Sequence, residues 1–125
     1  MIETSIYYSK DLTIHTVTGK LTAEELIQTI REYYSSGKTT MRILWNCLEA
    51  DAPFLSSEDV KNVAIVVRKL SGIRKGGKTA IVVSRDFWFG LERMYKILAG
   101  IDKMPAEYFI SCSLEDCCRW LSIEV

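Results

Sequence analysis

The hydrophobic and polar positions of this chain change between two periods, which predicts strands alternating with helices. β-Rich runs at Glu3 to Tyr8 and Leu12 to Thr18 are separated by three residues, which predicts an opening β-hairpin. Thr22 to Ser35 has apolar residues at helical spacing, and Thr22 with Glu25 forms the T-x-x-E pattern of a capping box. The chain is therefore expected to begin as β-β-α.

Three more strands and three more helices are predicted after this opening. The strands are Met41 to Trp45, Thr79 to Ser84 and Glu107 to Ser111. The second helix begins at Ser56 or Ser57 and continues to Leu70, and the other two are Asp86 to Ala99 and Ser113 to Leu121. We expect the polar segment Asn46 to Pro53 to be the longest loop, and Gly72 to end the second helix. The unbroken apolar run Ala80 to Val83 indicates a strand covered on both faces, and so the central strand.

This order of elements predicts an α/β fold. An N-terminal β-hairpin followed by β-α-β-α-β-α gives a mostly parallel five-stranded sheet packed with about four helices, because right-handed crossovers make neighbouring strands parallel. We expect residues 1–125 to form a single domain. Ligands and partners of such sheets gather where the strands end and the following helices begin. We call this edge the carboxyl rim; its residues are predicted at Gly19 and Lys20, Asn46 to Ser57, Ser84 to Asp86, and Ser111 to Ser113.

Composition and charge exclude several classes of protein. The 125 residues are 48% hydrophobic and 26% charged, as in soluble globular domains. Lysine plus arginine and aspartate plus glutamate number 16 each, so there is no net field to attract nucleic acid or an anionic membrane. No stretch approaches the roughly 18 apolar residues of a membrane span, and the start of the chain lacks a signal-peptide pattern. We expect a cytoplasmic protein with no nucleic-acid partner and no membrane span.

One stretch matches a phosphate-binding motif. Gly72 to Thr79 reads G-I-R-K-G-G-K-T and satisfies GxxxxGK[ST]. That motif needs a strand before the glycines and a helix after them, because the helix N-terminus binds the phosphate. The predicted order is the reverse, so we interpret the match as coincidental. The cations around it are expected to lie in a solvated turn near a helix C-terminus; they are Arg68, Lys69, Arg74, Lys75 and Lys78.

The residues that most often bind metals or act as nucleophiles are sparse. The four cysteines, Cys47, Cys112, Cys117 and Cys118, form no C-x-x-C pair, which favours free structural thiols. The lone His15 is expected on a half-solvated strand surface, with no neighbour in sequence to orient it as a base. We predict no metal, no cofactor and no catalytic residue.

Four segments resemble a known family. They are V-T-G-K-L-T-A-E-E-L at 17–26, R-I-L-W-N at 42–46, G-G-K-T-A-I-V-V-S at 76–84 and F-G-L-E-R-M-Y at 89–95. Together with the order of elements, they resemble the SpoIIAA-like branch of the STAS family (sulfate transporter and anti-sigma factor antagonist) over essentially the whole chain. The resemblance implies a small regulatory or ligand-sensing domain whose first strand is antiparallel. The same fold group includes SEC14-type lipid-binding domains.

The resemblance also implies a modification site. In anti-sigma-factor antagonists a Ser or Thr at the start of the helix after the third strand is phosphorylated, which releases a partner. The nearest positions in this chain are Ser56 and Ser57. The local sequence has a structural interpretation as well, because Ser56 with Asp59 also satisfies a helix N-cap.

The predicted binding residues lie on the carboxyl rim: Asn46, Ser56, Ser57, Ser84, Arg85 and Trp88. The guanidinium of Arg85 suits bidentate recognition of a carboxylate or phosphate. Phe87, Trp88 and Phe89 cannot all point inward on one helical turn, so Trp88 is a candidate contact for a partner or a homodimer.

Three classes of function remain open. The first is a non-catalytic regulatory domain that binds an unidentified protein partner through the carboxyl rim, or pairs as a homodimer. The second is a carrier of a lipid or small apolar ligand, which needs a concave apolar pocket. The third is an enzyme, which needs a nucleophile and a base within hydrogen-bond reach of one another.

Overall fold

The architecture comes from a computed structural model that describes residues 1–51, 56–86 and 107–123. The elements in chain order are β1 (Ile2–Tyr7), β2 (Leu12–Lys20), α1 (Ala23–Ser35), β3 (Arg42–Asp51), α2 (Ser57–Leu70), β4 (Lys78–Val83), β5 (Glu107–Ser111) and α3 (Leu114–Leu121). Two short 3-10 helices, Tyr8–Lys10 and Ser71–Arg74, join them. The helix predicted at Asp86 to Ala99 lies, apart from its first residue, outside the described residues. None of the described helices is long and apolar enough to cross a membrane.

The five strands form one sheet in sequential order, β1-β2-β3-β4-β5. β1 pairs antiparallel with β2 and the other neighbours are parallel, which confirms the predicted hairpin and the mostly parallel sheet. The central strand is β3 and not β4 as the apolar run suggested. That run reflects burial on both faces, which any strand with two neighbours and two covering layers has.

The expected loop at Asn46 to Pro53 is wrong over its first six residues, because β3 continues to Asp51. β2 also extends, to Lys20, and the two strands stay paired beyond a bulge between Thr16 and Thr18. The residues of this extension are mostly polar, so the hydrophobicity pattern does not predict a strand there. The pairing with β2 supplies the backbone hydrogen bonds that stabilise it.

Two layers of helix cover the sheet. α3 packs on one face through Cys117, Cys118 and Leu121, against apolar side chains of β2, β3 and β4. α1 lies on the opposite face, where Tyr33 contacts Thr13 and His15 of β2, and α2 packs beside α1. This arrangement is the two-layered cover that is typical of an α/β sheet.

β2 is buried on both faces, so the expected half-solvated strand is wrong. Leu12 is 3% exposed towards α3, while Thr13 and His15 are 0% and 1% exposed towards α1. Polar residues are buried here because α1 supplies hydrogen-bonding and aromatic partners, which a hydrophobicity pattern does not register.

The backbone direction at the glycine motif is the one that the sequence predicted. α2 and a 3-10 helix precede the glycines, and Lys78 and Thr79 begin β4. α2 ends at Leu70, so Gly72 does not end it as expected and lies within the 3-10 helix. No helix N-terminus follows the glycines, so the segment lacks the phosphate-binding geometry of a P-loop.

Candidate functional site

Among the helices that the structure describes in full, three begin at the carboxyl rim, and each is capped by a hydroxyl. Thr22 accepts a hydrogen bond from the Glu25 amide at 3.2 Å, Ser56 from the Asp59 amide at 3.1 Å and Ser113 from the Asp116 amide at 3.2 Å. Each cap satisfies one of the free N–H groups of a helical first turn. Each of these helices follows the carboxyl end of a strand in the parallel part of the sheet, so their N-termini lie on the same edge.

The three capped first turns make this edge acidic. Each contains two carboxylates, which are Glu24 and Glu25, Glu58 and Asp59, and Glu115 and Asp116. Carboxylates are stabilised there by the positive ends of the helix dipoles. Ion pairs neutralise part of this charge, because Glu25 pairs with the N-terminal ammonium and Glu115 and Asp116 pair with Arg119.

Ser56 is the best-defined candidate residue on the rim. Its side chain is exposed, and it takes part in a complete capping box with Asp59. The Asp59 amide donates to Ser56 Oγ, and the Ser56 amide donates back to Asp59 Oδ2 at 3.1 Å. Ser57 is the first residue of α2. The structural interpretation of Ser56 as an N-cap is thus confirmed, and the exposed hydroxyl leaves it accessible for modification.

The remaining predicted site residues have different positions. Ser84 directly follows β4 and Arg85 comes next, exposed and without a hydrogen bond or ion pair to the described part of the chain. Trp88 lies outside the described residues. Asn46 lies inside β3, where its Oδ1 accepts from the Leu48 amide at 3.2 Å at the bulge. Asn46 therefore stabilises an irregular strand and does not lie in a rim loop.

The structure also reveals a hydroxyl–imidazole pair that sequence spacing did not. Thr4 Oγ1 lies 2.8 Å from His15 Nδ1, because the two residues are directly opposite one another in the β1–β2 hairpin. The ring of His15 stacks on Trp45 with centroids 4.1 Å apart and meets the edge of Tyr33. Counting the register back from the hairpin turn is the signal that would have placed Thr4 beside His15.

This pair has poor properties for catalysis. Burial, with a smaller contribution from the charge of Arg74, lowers the pKa of His15 from 6.5 to about 4. An effective general base has a pKa near the working pH, so His15 is a weak base at neutral pH. No described carboxylate hydrogen-bonds to the ring, so nothing orients it in the way a triad requires. We interpret His15 as a buried neutral residue of the core.

A buried arginine explains the glycine motif. Arg74 is 1% exposed, so the expected solvated cluster is wrong for this residue. Its Nε, Nη1 and Nη2 atoms donate five hydrogen bonds of 2.7 to 3.2 Å, to Thr40 O, Tyr34 Oη, Thr79 Oγ1, Met41 O and Lys78 O. Five bonds use all the N–H donors of a guanidinium, so no donor is left for a phosphate.

Gly77 makes room for this arrangement. A Cβ at Gly77 would lie 2.7 Å from Met41 O and 2.9 Å from Arg74 O, both backbone atoms that cannot move aside cheaply. The glycine lets the backbone approach β3 closely, and the Gly77 amide donates to Arg74 O at 2.8 Å. The letters that resemble a nucleotide motif are therefore explained by the packing of the loop around Arg74.

The cysteines are free, as predicted. Burial raises the pKa of Cys47 to about 12 and that of Cys117 to about 11, and it also raises the pKa of Cys118. Burial likewise raises the pKa of Tyr108 to about 12. The thiolate is the reactive form, so these buried thiols are poor nucleophiles and poor metal ligands at neutral pH. Among the described residues, no group of His, Cys, Asp and Glu side chains could hold a metal ion.

Solved structures with the same arrangement of strands and helices identify the fold. One is the anti-sigma factor antagonist SpoIIAA in its unphosphorylated form, with 14% identity, a TM-score of 0.55 and coverage of 93% of this chain and 92% of that one. The chain has a SpoIIAA-like fold. The Bacillus cell fate determinant SpoIIAA in the phosphorylated form is similar too, with 14% identity, a TM-score of 0.56 and coverage of 97% of this chain and 99% of that one.

A third structure with this fold is an uncharacterised protein of the DUF3478 family from Shewanella loihica PV-4. It shares 18% identity and a TM-score of 0.57, and the match covers 97% of this chain and 92% of that one. Neither a known protein-family profile nor a curated protein matches the chain by sequence. The sequence resemblance to the SpoIIAA-like branch is therefore confirmed at the level of the fold.

Proposed function

We propose that this chain is a non-catalytic regulatory domain that binds a protein partner through the carboxyl rim, and that phosphorylation of Ser56 controls the binding. The observation that carries the proposal is the exposed Ser56 hydroxyl at the N-terminus of α2. The solved SpoIIAA structures, which share the fold, include a phosphorylated and an unphosphorylated form. Ser57, the next residue, is the second candidate acceptor, and the free thiols suit the reducing cytoplasm.

The local geometry explains why a phosphate at Ser56 would be a strong signal. The group adds a charge of about −1.5 to −2 at neutral pH. It would be placed on the oxygen that accepts from the Asp59 amide, beside the carboxylates of Glu58 and Asp59. The helix dipole attracts the phosphate while these carboxylates repel it. We expect the Ser56 amide to lose its bond to Asp59, so that both the charge and the shape of the rim change.

Arg85 would be the partner-binding cation on the same edge. It is exposed and makes no ion pair with the described residues, so its guanidinium is available for a carboxylate of the partner. Trp88 follows three residues later in sequence and would supply an aromatic anchor. The same surface would serve if the partner is a second copy of the chain.

The test places phosphoserine at position 56 by genetic encoding. Binding of proteins from the native host is then compared between phosphoserine 56, wild type and Ser56→Ala. Phosphoserine at Ser35 is the matched control, because Ser35 is also exposed on a helix but lies in the last turn of α1, at the opposite edge. We expect a partner whose affinity changes about tenfold or more with phosphoserine 56 and not with phosphoserine 35.

Two outcomes would contradict the proposal. If Arg85→Ala and Trp88→Ala leave both the bound proteins and the oligomeric state unchanged, the carboxyl rim is not the interface. If native mass spectrometry of protein from its own host reveals a retained lipid or metabolite, a carrier function replaces a regulatory one.

A further inference from the structure

The edge of the sheet opposite the carboxyl rim carries three loops that are joined by backbone hydrogen bonds. The Arg42 amide donates to Asp11 O at 3.1 Å, which joins the β1–β2 turn to the start of β3. The Lys78 amide donates to Met41 O at 2.8 Å, which joins the start of β3 to the loop between α2 and β4. Residues 8–11, 36–41 and 71–77 are therefore neighbours on one surface.

Exposed apolar side chains are concentrated on these loops. Tyr8 is 65% exposed, Met41 36% and Ile73 64%, and each belongs to a different loop. They account for three of the six large apolar side chains that are exposed in the described parts of the chain. Single apolar residues on a surface are ordinary, but one in each of three adjacent loops is a repeated arrangement.

Each of these apolar side chains has a lysine close to it in sequence. Lys10, Lys38 and Lys75 are exposed, and none forms an ion pair with a carboxylate in the described residues. The three loops contain one carboxylate, Asp11, whose Oδ1 accepts from the Met41 amide at 3.1 Å. One exposed carboxylate borders them, that of Glu107 at the start of β5, whose amide donates to Gly77 O at 2.9 Å. We call the set Tyr8, Lys10, Lys38, Met41, Ile73 and Lys75 the amino-edge surface.

Acidic and basic side chains lie at opposite edges of the sheet, although the net charge of the chain is zero. The capped first turns place their carboxylates at the carboxyl rim, while the lysines of the connecting loops lie at the other edge. Parallel topology causes the separation, because the helices between parallel strands all point in one direction. A protein with zero net charge can therefore still present a cationic surface.

We propose that the amino-edge surface docks on an anionic membrane surface. Lysines near such a surface are attracted by its negative potential. Exposed apolar side chains contribute binding free energy when they enter the boundary between headgroups and acyl chains. Three separate apolar side chains fit a fluid membrane surface, because each can insert between the lipids independently of the others. Docking in this orientation directs the carboxyl rim away from the membrane, where it remains open to a protein partner.

The test measures sedimentation of the full chain with vesicles of phosphatidylcholine that contain about one-third phosphatidylserine. Pure phosphatidylcholine vesicles are the reference. We expect binding to the anionic vesicles alone, weakened about fivefold by Lys75→Gln and weakened further by high salt. Lys61→Gln is the matched control, since Lys61 is exposed on α2 outside this surface.

The apolar contribution is tested separately. We expect Ile73→Ser to weaken vesicle binding about tenfold. Leu48→Ser, which changes an exposed apolar residue of β3 outside the surface, should leave binding unchanged. Tyr8→Ser tests a second apolar side chain of the surface independently of Ile73. Thermal unfolding checks that every variant is folded.

Three results would overturn the proposal: equal binding to both kinds of vesicle, no binding to either, and binding to which Ile73 and Tyr8 contribute nothing. Tight binding to heparin or duplex DNA that depends on the lysines but not on Ile73 would assign the surface to a soluble polyanion instead. A change in partner binding by phosphoserine 56 does not bear on these outcomes, so this proposal and the proposed function fail independently.

Discussion

Arg74→Lys tests whether the loop of the glycine motif is organised around the guanidinium. The substitution keeps the charge and reduces the side-chain donors from five to three, so two of the five acceptors lose a partner. A hydrogen bond to a charged group contributes about 1.5–3 kcal/mol to stability. Met41 O keeps a second donor in the Lys78 amide, which reduces the loss. We therefore expect the free energy of unfolding to fall by about 2–4 kcal/mol.

The assay is urea unfolding followed by circular dichroism at neutral pH. Lys75→Gln is the matched control, because this neighbouring cation is exposed and should change stability by less than about 0.5 kcal/mol. A small domain is stable by only about 5–15 kcal/mol, so the expected loss is easily measured. If Arg74→Lys costs no more than Lys75→Gln, the five acceptors do not need the guanidinium and the structural explanation of the motif is wrong.

Three further predictions concern the core and the loop. The pKa of His15 is about 4 in the folded chain and 6.5 when unfolded, so the free energy of unfolding should fall by about 3 kcal/mol as the pH drops from about 6.5 to about 4. His15→Gln should remove this part of the pH dependence of urea unfolding. Gly77→Ala should destabilise the fold by about 2 kcal/mol or more in thermal unfolding, whereas Gly72→Ala should have little effect, because a Cβ meets backbone atoms at Gly77 and nothing within 4 Å at Gly72. In a thiol-reagent assay on the native chain, the exposed Cys112 should react first, and Cys112→Ser should abolish the fast phase, because the other three thiols are buried; an unchanged fast phase in that variant would contradict the burial.

Local patterns were enough to locate the capped helices. Thr22 and Ser56 were identified as helix caps from hydroxyls followed three residues later by a carboxylate, and each accepts the expected amide. These hydrogen bonds join residues three apart in sequence, so the sequence nearby contains all the partners. The N-cap role of Ser56 was predictable for the same reason, whereas its candidacy as a modification site came from the family resemblance.

Partners distant in sequence decided the features that sequence reasoning missed. His15 is buried because Trp45 and Tyr33, 30 and 18 residues away, cover its ring. β3 continues to Asp51 because β2 pairs with it beyond the bulge. The hydrophobic periodicity around His15 does not indicate the rings that cover it, and the periodicity at the end of β3 does not indicate its pairing with β2.

The sequence by itself determined the alternation of strands and helices and the direction in which the chain passes through the glycine motif, since both follow from residue periodicity and capping. Only the tertiary structure decided that Arg74 is buried, that β3 is central, and that charges balanced along the chain are separated between two edges of the sheet. The physical reason is that hydrogen-bond partners and surface position depend on which segments become neighbours in space, and this information is spread over the whole chain.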